Sequence, residues 1–312
     1  MIRRSQSELI QELRKEGFQF NEFALMQEGN YSVDDVDWNY KDIPHFAHVH
    51  QQAEAYPTFI TDDCISSILA QPVLGFRVPM ALMNYQSGPR RQTYYTSAFF
   101  FVLVIETTCE SIGPAQTRVR TNYAIGAKGL MRIFFPLLRW SIKRNYRMLM
   151  AGDVPMRERR GEIRKWGYSF RLDGQSQGFE GTLQIGRSNV IRPQALAAAP
   201  ESTIDLRAVL PTDGTYLWGR SDHLGLRLVR EGTTVVALPR LCPHEGACLD
   251  LSPCVGGQTH CPWHGRKFKP LATFALDGAD VQRVVSADYD FLLTGGVLRL
   301  TAKAIAQPAE AV

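Results

Sequence analysis

Two short cysteine–histidine segments near the C-terminal end constrain this chain more than any other feature. Cys242 and His244 form a C-x-H pair, and after sixteen intervening residues Cys261 and His264 form a C-x-x-H pair. Two thiolates and two imidazoles at these spacings predict a [2Fe–2S] cluster in which histidine replaces cysteine on one iron. The alternative is a Cys₂His₂ zinc site, but zinc sites usually combine C-x₂₋₄-C with H-x₃₋₅-H pairs.

The residues around these pairs extend the pattern. They read C-P-H-E-G-A over 242–247 and C-P-W-H-G over 261–265, and both segments resemble the cluster loops of the Rieske ferredoxin family. Glycine lets each loop turn close to a cluster, and proline stiffens it. The resemblance implies that a Rieske [2Fe–2S] cluster binds the four residues Cys242, His244, Cys261 and His264.

The second loop differs from that of high-potential Rieske proteins. Those proteins place a cysteine, a serine and a tyrosine where this chain has Trp263, Arg266 and Phe268. Because hydrogen bonds to the cluster sulfurs raise the reduction potential, we expect a potential near the low end of the range, about −150 mV. Cys248 and Cys254 lie between the loops and are expected to be buried thiols.

Composition narrows the class of protein. A length of 312 residues suggests about two domains. A net charge of +4 does not indicate a nucleic-acid or membrane partner. The N-terminus has no apolar signal region, and the longest apolar run, Ala98 to Ile105, is too short for a membrane span. We therefore expect a cytoplasmic protein.

The N-terminal part predicts an α+β domain. Helical periodicity covers 6–17, strand patterns cover 58–125, and one long helix is predicted over 128–166, with interruptions at two prolines, Pro136 and Pro155. This order resembles the helix-grip fold of the START-like superfamily, in which a curved sheet wraps a long helix and leaves an apolar pocket.

We accordingly divide the chain into four parts. They are a START-like catalytic or ligand-binding domain at 1–189, a linker at 190–203, a small all-β Rieske domain at 204–302 and a tail at 303–312. Rieske oxygenases share these two domains, although the family usually has the Rieske domain first and this chain has it last.

A second candidate metal site lies in the N-terminal domain. Asp42, His45 and His50 form a D-x₂-H-x₄-H pattern. Two histidines and a carboxylate are the facial triad of non-heme Fe(II) sites. The resemblance to Rieske oxygenases implies that His45 and His50 bind iron and that Asp42 bridges the two metal centres, whereas His48 has no role in the pattern. The alternative is a proline-started helix whose histidines pack against aromatic neighbours.

The third ligand is predicted on the long helix. An apolar stripe leads to Asp153 in steps of three or four residues: Leu138, Ile142, Tyr146 and Leu149. A carboxylate on that stripe is costly unless it is paired or bound to metal. The segment also resembles the third-ligand region of Rieske monooxygenases. In the alternative, Pro155 interrupts the helix and Asp153 is the N-cap of the segment from Val154 to Trp166.

Two functions follow from these features. The resemblance implies a Rieske-type oxygenase component, in which electrons from an NAD(P)H-dependent reductase or a ferredoxin pass through the cluster to a mononuclear Fe(II). That iron would activate O₂ to oxidise an apolar small molecule. Electron transfer between subunits in the family implies a homotrimer. The alternative is a Rieske electron-transfer protein fused to a START-like ligand-binding module without catalytic iron.

The predicted long helix is strongly basic. Ten lysines and arginines against three acidic residues lie between Arg132 and Lys165. They fit either a solvated helix face or a docking surface for an acidic reductase or ferredoxin.

Overall fold

The chain forms two compact units. The computed structural model describes residues 4–50, 54–73, 76–171, 173–174, 178–179, 189–191, 201–219, 225–278, 280–286 and 288–303. The first unit comprises 1–162 with 172–187, and the second comprises 163–171 with 188–312. Among the described residues, no helix is long and apolar enough to cross a membrane.

The helices concentrate in the first unit. The described residues contain α-helices α1 to α5 at Gln6–Lys15, Val33–Lys41, Phe46–Val49, Phe135–Arg164 and Leu206–Val209, and two 3₁₀ helices at Ile43–His45 and Gly129–Phe134. Ser5 and Ser32 begin α1 and α2 with capping boxes, in which each serine hydroxyl accepts a hydrogen bond from the third helical residue. The helix predicted over 6–17 is therefore confirmed.

One antiparallel sheet organises the first unit. Its strands β1 to β7 are Gln19–Gly29, Glu54–Ile60, Cys64–Val73, Phe76–Gly88, Arg91–Ala98, Phe101–Gly113 and Gln116–Ala127. Their order across the sheet is β1-β7-β6-β5-β4-β3-β2, so that every neighbouring pair except β1 and β7 is consecutive in the chain. A meander of this kind followed by the long helix α4 is the helix-grip architecture, and the predicted fold class is confirmed.

The strands differ from the sequence pattern in two places. The pattern predicts one strand from Thr93 to Ile105, but Phe99 and Phe100 form the turn between β5 and β6. Phe99 adopts a φ of +54°, a left-handed conformation that ends the strand. Sequence analysis also assigned no strand to 19–29, where β1 pairs along its whole length with β7.

Helix α4 is continuous where an interruption was predicted. It runs for 30 residues from Phe135 to Arg164 with Pro155 inside it. Pro136 lies in the first turn, where the missing N–H leaves no helical bond unmade. Asp153 therefore lies well inside the helix, and the alternative role as an N-cap is excluded.

Buried ion pairs fix α4 to the rest of the first unit. Arg160 Nε lies 2.9 Å from Asp35 Oδ1, with both side chains buried, and the guanidinium stacks 4.1 Å from the ring centroid of Trp38. Arg157 is also buried, beneath Tyr40. Two of the ten basic residues in this stretch are thus interior structural groups and do not belong to a solvated face.

The second unit is built from short strands. Strands β8 to β20 are Ser169–Phe170, Val190–Ile191, Ser202–Asp205, Gly214–Trp218, Leu226–Glu231, Thr234–Pro239, Cys254–Val255, Gln258–His260, Lys267–Phe268, Ala272–Ala275, Gln282–Val285, Tyr289–Thr294 and Val297–Ala302. Two four-stranded sheets, β10-β20-β19-β18 and β11-β12-β13-β17, pack around a shared apolar core. A three-stranded sheet, β14-β15-β16, carries part of the cysteine–histidine region.

Most of the predicted linker and tail lies outside the described residues. Residues 192–200 and 304–312 belong to this part of the chain. At the edges of the predicted linker, Val190–Ile191 and Ser202–Asp205 are strands β9 and β10.

The buried pair in α4 gives a stability prediction. Replacing Arg160 by methionine leaves the Asp35 carboxylate buried without its cation, so we expect the free energy of unfolding to fall by about 3–5 kcal/mol. Urea unfolding followed by circular dichroism measures it. Arg159→Met is the matched control, because Arg159 pairs with the half-exposed Glu162 and its loss should cost about 0–1 kcal/mol. Equal effects of the two changes would contradict the assignment.

Candidate metal centres

Three predicted ligand residues meet in the first unit. His45 ends a 3₁₀ helix, His50 follows α3, and Asp153 projects from α4. Asp153 Oδ1 lies 3.2 Å from His45 Nε2 and 2.8 Å from His50 Nε2, and the two Nε2 atoms are 3.2 Å apart. Ligand bonds of about 2.1 Å at right angles separate ligand atoms by about 3.0 Å, so this triangle fits one face of a metal coordination sphere.

The hydrogen bonding of His45 favours a ligand role. Its Nδ1 lies against the main-chain carbonyl oxygen of Asp42, which can only accept a hydrogen bond. In the neutral ring Nδ1 therefore carries the proton, and Nε2 presents a lone pair toward Asp153 Oδ1. Two acceptors facing each other require a cation or a proton between them. This donor set, two imidazole nitrogens and one carboxylate oxygen, suits Fe(II).

The carboxylate of Asp153 is held in its ionised form. Burial by itself would raise its pKa. When no cation occupies the site, the protons that must then lie between this carboxylate and the imidazoles of His45 and His50, together with the nearby positive charge of Arg157, hold the pKa well below its usual range. Arg157 Nη2 lies 3.7 Å from Asp153 Oδ2. Asn39 connects the two groups, since its Nδ2 donates to Asp153 Oδ1 at 3.4 Å and its Oδ1 accepts from Arg157 Nε at 2.8 Å.

A glycine on α4 makes room for one of the histidines. A Cβ atom at Gly152 would lie 2.7 Å from Val49 Cγ1 and 2.9 Å from His50 Cε1, both shorter than normal contacts. The ring of His50 therefore packs directly against the helix backbone beside Asp153. A larger residue at 152 would displace this ring from the other two predicted ligands.

The two remaining polar residues of the motif differ in position. His48 is exposed and lies outside the group formed by His45, His50 and Asp153. Asp42 is buried, and its carboxylate Oδ2 lies 3.7 Å from His45 Nδ1. The bridging role predicted for Asp42 between two metal centres stays a prediction.

Two of the three residues, His45 and Asp153, lie at the inner end of a large cavity. The cavity between the sheet and α4 has a volume of about 670 Å³, and both His45 and Asp153 line it. The predicted helical stripe also lines it, in the order Leu138, Ile142, Tyr146, Leu149 and Asp153. Leu137 and Asp153 are sixteen residues apart and both border the cavity, which therefore extends for about 24 Å along the helix.

In the second unit, the two cysteine–histidine loops share one backbone pattern. In the first loop, Cys242 N–H donates to Ala247 C=O and Gly246 N–H donates to Cys242 C=O. In the second, Cys261 N–H donates to Arg266 C=O and Gly265 N–H donates to Cys261 C=O. These four hydrogen bonds are between 2.8 and 2.9 Å long. Two equivalent loops thus present equivalent cysteines.

The glycine of each loop occupies the same turn position. Gly246 has a φ of +85° and Gly265 a φ of +63°, a region that other residues rarely adopt. At Gly246 a Cβ would also lie 2.6 Å from Ile163 Cδ1. The predicted need for glycine is explained by backbone conformation in both loops and by close packing in the first.

The side chains of the two loops fit the predicted cluster. The Cys242 and Cys261 thiols are buried and hydrogen-bond to each other, and this bond lowers the pKa of Cys261 to about 5, whereas burial raises that of Cys242. The rings of His244 and His264 lie 4.9 Å apart, nearly perpendicular. The two loops therefore bring two sulfurs and two imidazoles together, the donor set that a Rieske [2Fe–2S] cluster requires.

Sequence comparison agrees with this arrangement. Residues 207–283 match the family model described as the Rieske [2Fe-2S] domain. The second unit contains a Rieske domain. The match encloses both loops and implies a [2Fe–2S] cluster and electron transfer as the function of this domain. Cys248 and Cys254 are free and only half-buried, so the expectation that they are fully buried was wrong.

Comparisons of the whole chain with known proteins add little to the assignment of its function. No curated protein matches the sequence. Among solved structures, an aromatase/cyclase from Streptomyces sp. R1128 is 11% identical with a TM-score of 0.41, covering 46% of this chain and 96% of that chain. A START superfamily protein from Mycobacterium smegmatis is 10% identical with a TM-score of 0.37, covering 44% and 97%. Norcoclaurine synthase from Thalictrum flavum is 7% identical with a TM-score of 0.38, covering 46% and 90%.

Sequence analysis missed three polar residues around these sites. Arg157 follows Asp153 by four residues, and that spacing could have placed it on the same helix face. Asn39 carries no comparable signal. In the Rieske domain, Asn189 supports the first loop: its N–H donates to His244 C=O, and its side-chain amide donates to the buried Glu245 carboxylate at 3.0 Å. Because Asn189 lies far from the first loop in the sequence, no local pattern could have indicated this contact.

The cluster loops give a ligand prediction. Cys242→Ser or Cys261→Ser should abolish the visible and electron-paramagnetic spectrum of the Rieske cluster, because each change removes a buried thiolate. Cys248→Ser and Cys254→Ser serve as matched controls and should keep the spectrum. Survival of an unchanged cluster in either ligand variant would show that the ligand assignment is wrong.

Proposed function

We propose that this chain is the oxygenase component of a Rieske-type non-heme iron system. The observation that carries the proposal is the convergence of His45, His50 and Asp153, whose ligand atoms all lie within 4.8 Å of one another. Two of them, His45 and Asp153, line the buried end of the cavity. The same chain contains a Rieske domain. An electron-transfer domain and a site with two nitrogen ligands and one oxygen ligand, which leaves positions on the metal open, together favour activation of O₂.

The cavity favours an apolar and elongated substrate. Its lining is mostly aliphatic and aromatic, with few polar groups. Among these, the Thr107 and Thr121 hydroxyls lie 3.5 Å apart, whereas the Thr96 and Tyr146 hydroxyls are buried without a hydrogen-bond partner in the described part of the chain. Asp153 and His45 lie at the buried end. A bound apolar molecule would expel water from the site and direct one end toward the triad.

The residues of the site have separate tasks in this proposal. Fe(II), when bound, would supply O₂ activation, and the [2Fe–2S] cluster would supply single electrons. His45 and His50 would each present Nε2, and Asp153 would present Oδ1. The Asp42 carbonyl fixes the tautomer of His45 by holding the Nδ1 proton. Arg157 and Asn39 keep the Asp153 carboxylate ionised and oriented.

Electrons would enter from a separate protein. An NAD(P)H-dependent reductase or a ferredoxin is the expected donor, and the resemblance to Rieske oxygenases implies a homotrimer in which Asp42 connects the metal centres of neighbouring subunits. The position of Asp42 beside His45, the carboxylate 3.7 Å from Nδ1, supports this assignment from the triad side.

Metal content tests the proposal. Protein reconstituted anaerobically should bind three irons per chain, two in the cluster and one mononuclear. His45→Ala and Asp153→Ala should each lower the content to two and spare the Rieske spectrum, because they remove ligands in the other unit. Iron is measured by chelator assay and the cluster by its visible absorbance.

The exposed His48 provides a matched control. His48→Ala lies between the two predicted ligands in sequence but outside the group, so it should keep three irons. A wild-type protein holding only two irons would refute the oxygenase and leave the alternative, a Rieske electron-transfer protein fused to a ligand-binding module.

The proposed bridge predicts a different phenotype. Asp42→Asn should retain three irons, because the main-chain carbonyl that orients His45 is unchanged. Oxidation of the reduced cluster by O₂ in the presence of substrate should nevertheless slow sharply, because the carboxylate that faces His45 is lost. Stopped-flow absorbance of the cluster measures this rate. An Asp42→Asn rate equal to the wild-type rate would exclude the bridging role.

A further inference from the structure

The cavity opens at one end of the sheet. Strands β3 to β6 are neighbours in the sheet, so the paired residues Val73 and Phe76 and the β5–β6 turn lie at the same end. Phe76 begins β4 and Phe99 lies in the β5–β6 turn, and both line the cavity although both are largely exposed. Phe101 pairs with Ala127, which places the start of the Gly129–Phe134 helix at this end too. The mouth of the cavity is thus formed by the start of β4, the β5–β6 turn and one short helix.

The surface around this mouth is apolar. Leu130 is 84% exposed and Phe99 is 83% exposed, and Ile133 lies one 3₁₀ turn after Leu130 on the same side of the helix. Single exposed apolar residues are common on protein surfaces, but a contiguous group marks an interaction site. We call this group the rim: Phe76, Phe99, Phe100, Leu130, Ile133 and Trp140.

The segments that carry the rim residues have charges of one sign. Residues 76–77, 99–101 and 128–147 carry seven basic residues and no acidic residue. The seven are Arg77, Lys128, Arg132, Arg139, Lys143, Arg144 and Arg147. Arg144 and Arg147 are exposed and continue the outer face of α4 that begins with Trp140, since they follow it by four and seven residues. An apolar centre is thereby flanked by positive charge.

We propose that the rim docks onto an anionic lipid surface and that apolar substrate passes from the bilayer into the cavity. Projecting aromatic and aliphatic side chains flanked by lysine and arginine match the interfacial region of an anionic membrane, where the charged groups meet the headgroups. The apolar lining continues from the rim to the triad, so an apolar molecule would cross no polar barrier. The contact is peripheral and does not depend on the metal at the triad.

Other occupants fit the rim less well. A second copy of this chain would bring two positive faces together, which like-charge repulsion opposes. An acidic protein would satisfy the charges but would need a matching pocket for each projecting side chain, whereas lipid adapts to them. The expectation of no membrane partner rested on the net charge of +4 and on the absence of a long apolar run in the sequence. The net charge averages over the chain and does not reveal this local concentration, and a peripheral contact needs no long apolar run.

Vesicle flotation tests the proposal. The full-length protein should float with phosphatidylcholine vesicles that contain phosphatidylglycerol, bind vesicles of phosphatidylcholine alone less tightly, and dissociate as salt is added. Leu130→Asp and Ile133→Asp should each weaken binding about tenfold or more, because a carboxylate replaces an inserted side chain. In Trp140→Phe, the vesicle-induced change in tryptophan fluorescence should be lost.

A matched control separates the rim from general surface effects. Leu251 is 96% exposed in the second unit, and Leu251→Asp should bind vesicles as the wild type does. An unchanged Rieske spectrum and circular dichroism show that each variant is folded. The proposal is overturned if the wild type does not bind anionic vesicles, if both rim variants bind as well as Leu251→Asp, or if they bind weakly only because an oligomer has dissociated in sedimentation velocity.

Discussion

Burial of one carboxylate, that of Asp153, determines how the first unit is arranged. An ionised group on the apolar face of a long helix would cost several kcal/mol if it had no partners. The structure supplies these partners from three elements. The segment around α3 provides two imidazoles, α4 provides Arg157, and α2 provides Asn39, which is hydrogen-bonded to Arg157. That segment must therefore pack against α4 at Gly152, and the proposed metal site results from the same packing.

Helix α4 connects the two ends of the first unit. Its outer face near Trp140 is exposed at the mouth of the cavity, its middle lines the cavity through Tyr146 and Leu149, and its later part is anchored by the buried Arg160. A continuous helix keeps the mouth and the triad at a fixed separation. In an oxygenase, this rigidity would define the distance from the mouth, where substrate enters, to the triad, where it reacts. Pro155 lies inside α4 and does not interrupt the helix.

The Rieske domain places its candidate cluster ligands on two loops of the same backbone conformation. Its two loops make the same pair of backbone hydrogen bonds and use glycine at the same turn, so that Cys242 and Cys261 face each other as buried thiols. Glu245 lies within the first loop, and Asn189 binds both its carboxylate and the neighbouring main chain. The loops are thus held by local hydrogen bonds and one distant side chain, and an absence of disulfides among the described cysteines is consistent with that.

The sequence by itself determined the fold class and the two cysteine–histidine loops, and it indicated His45, His50 and Asp153 as candidate ligands, because each depends on spacing within a short segment or along one helix. Only the tertiary structure decided that Asp153 meets both histidines and does not cap a helix. It also decided that Arg157 and Arg160 are interior and that Phe99 and Phe100 form a turn at the mouth of the cavity. These outcomes depend on contacts between residues far apart in the chain, such as the pairing of Arg160 with Asp35. Local periodicity carries no information about such contacts, because helix and strand patterns specify which face is apolar and not what that face will pack against.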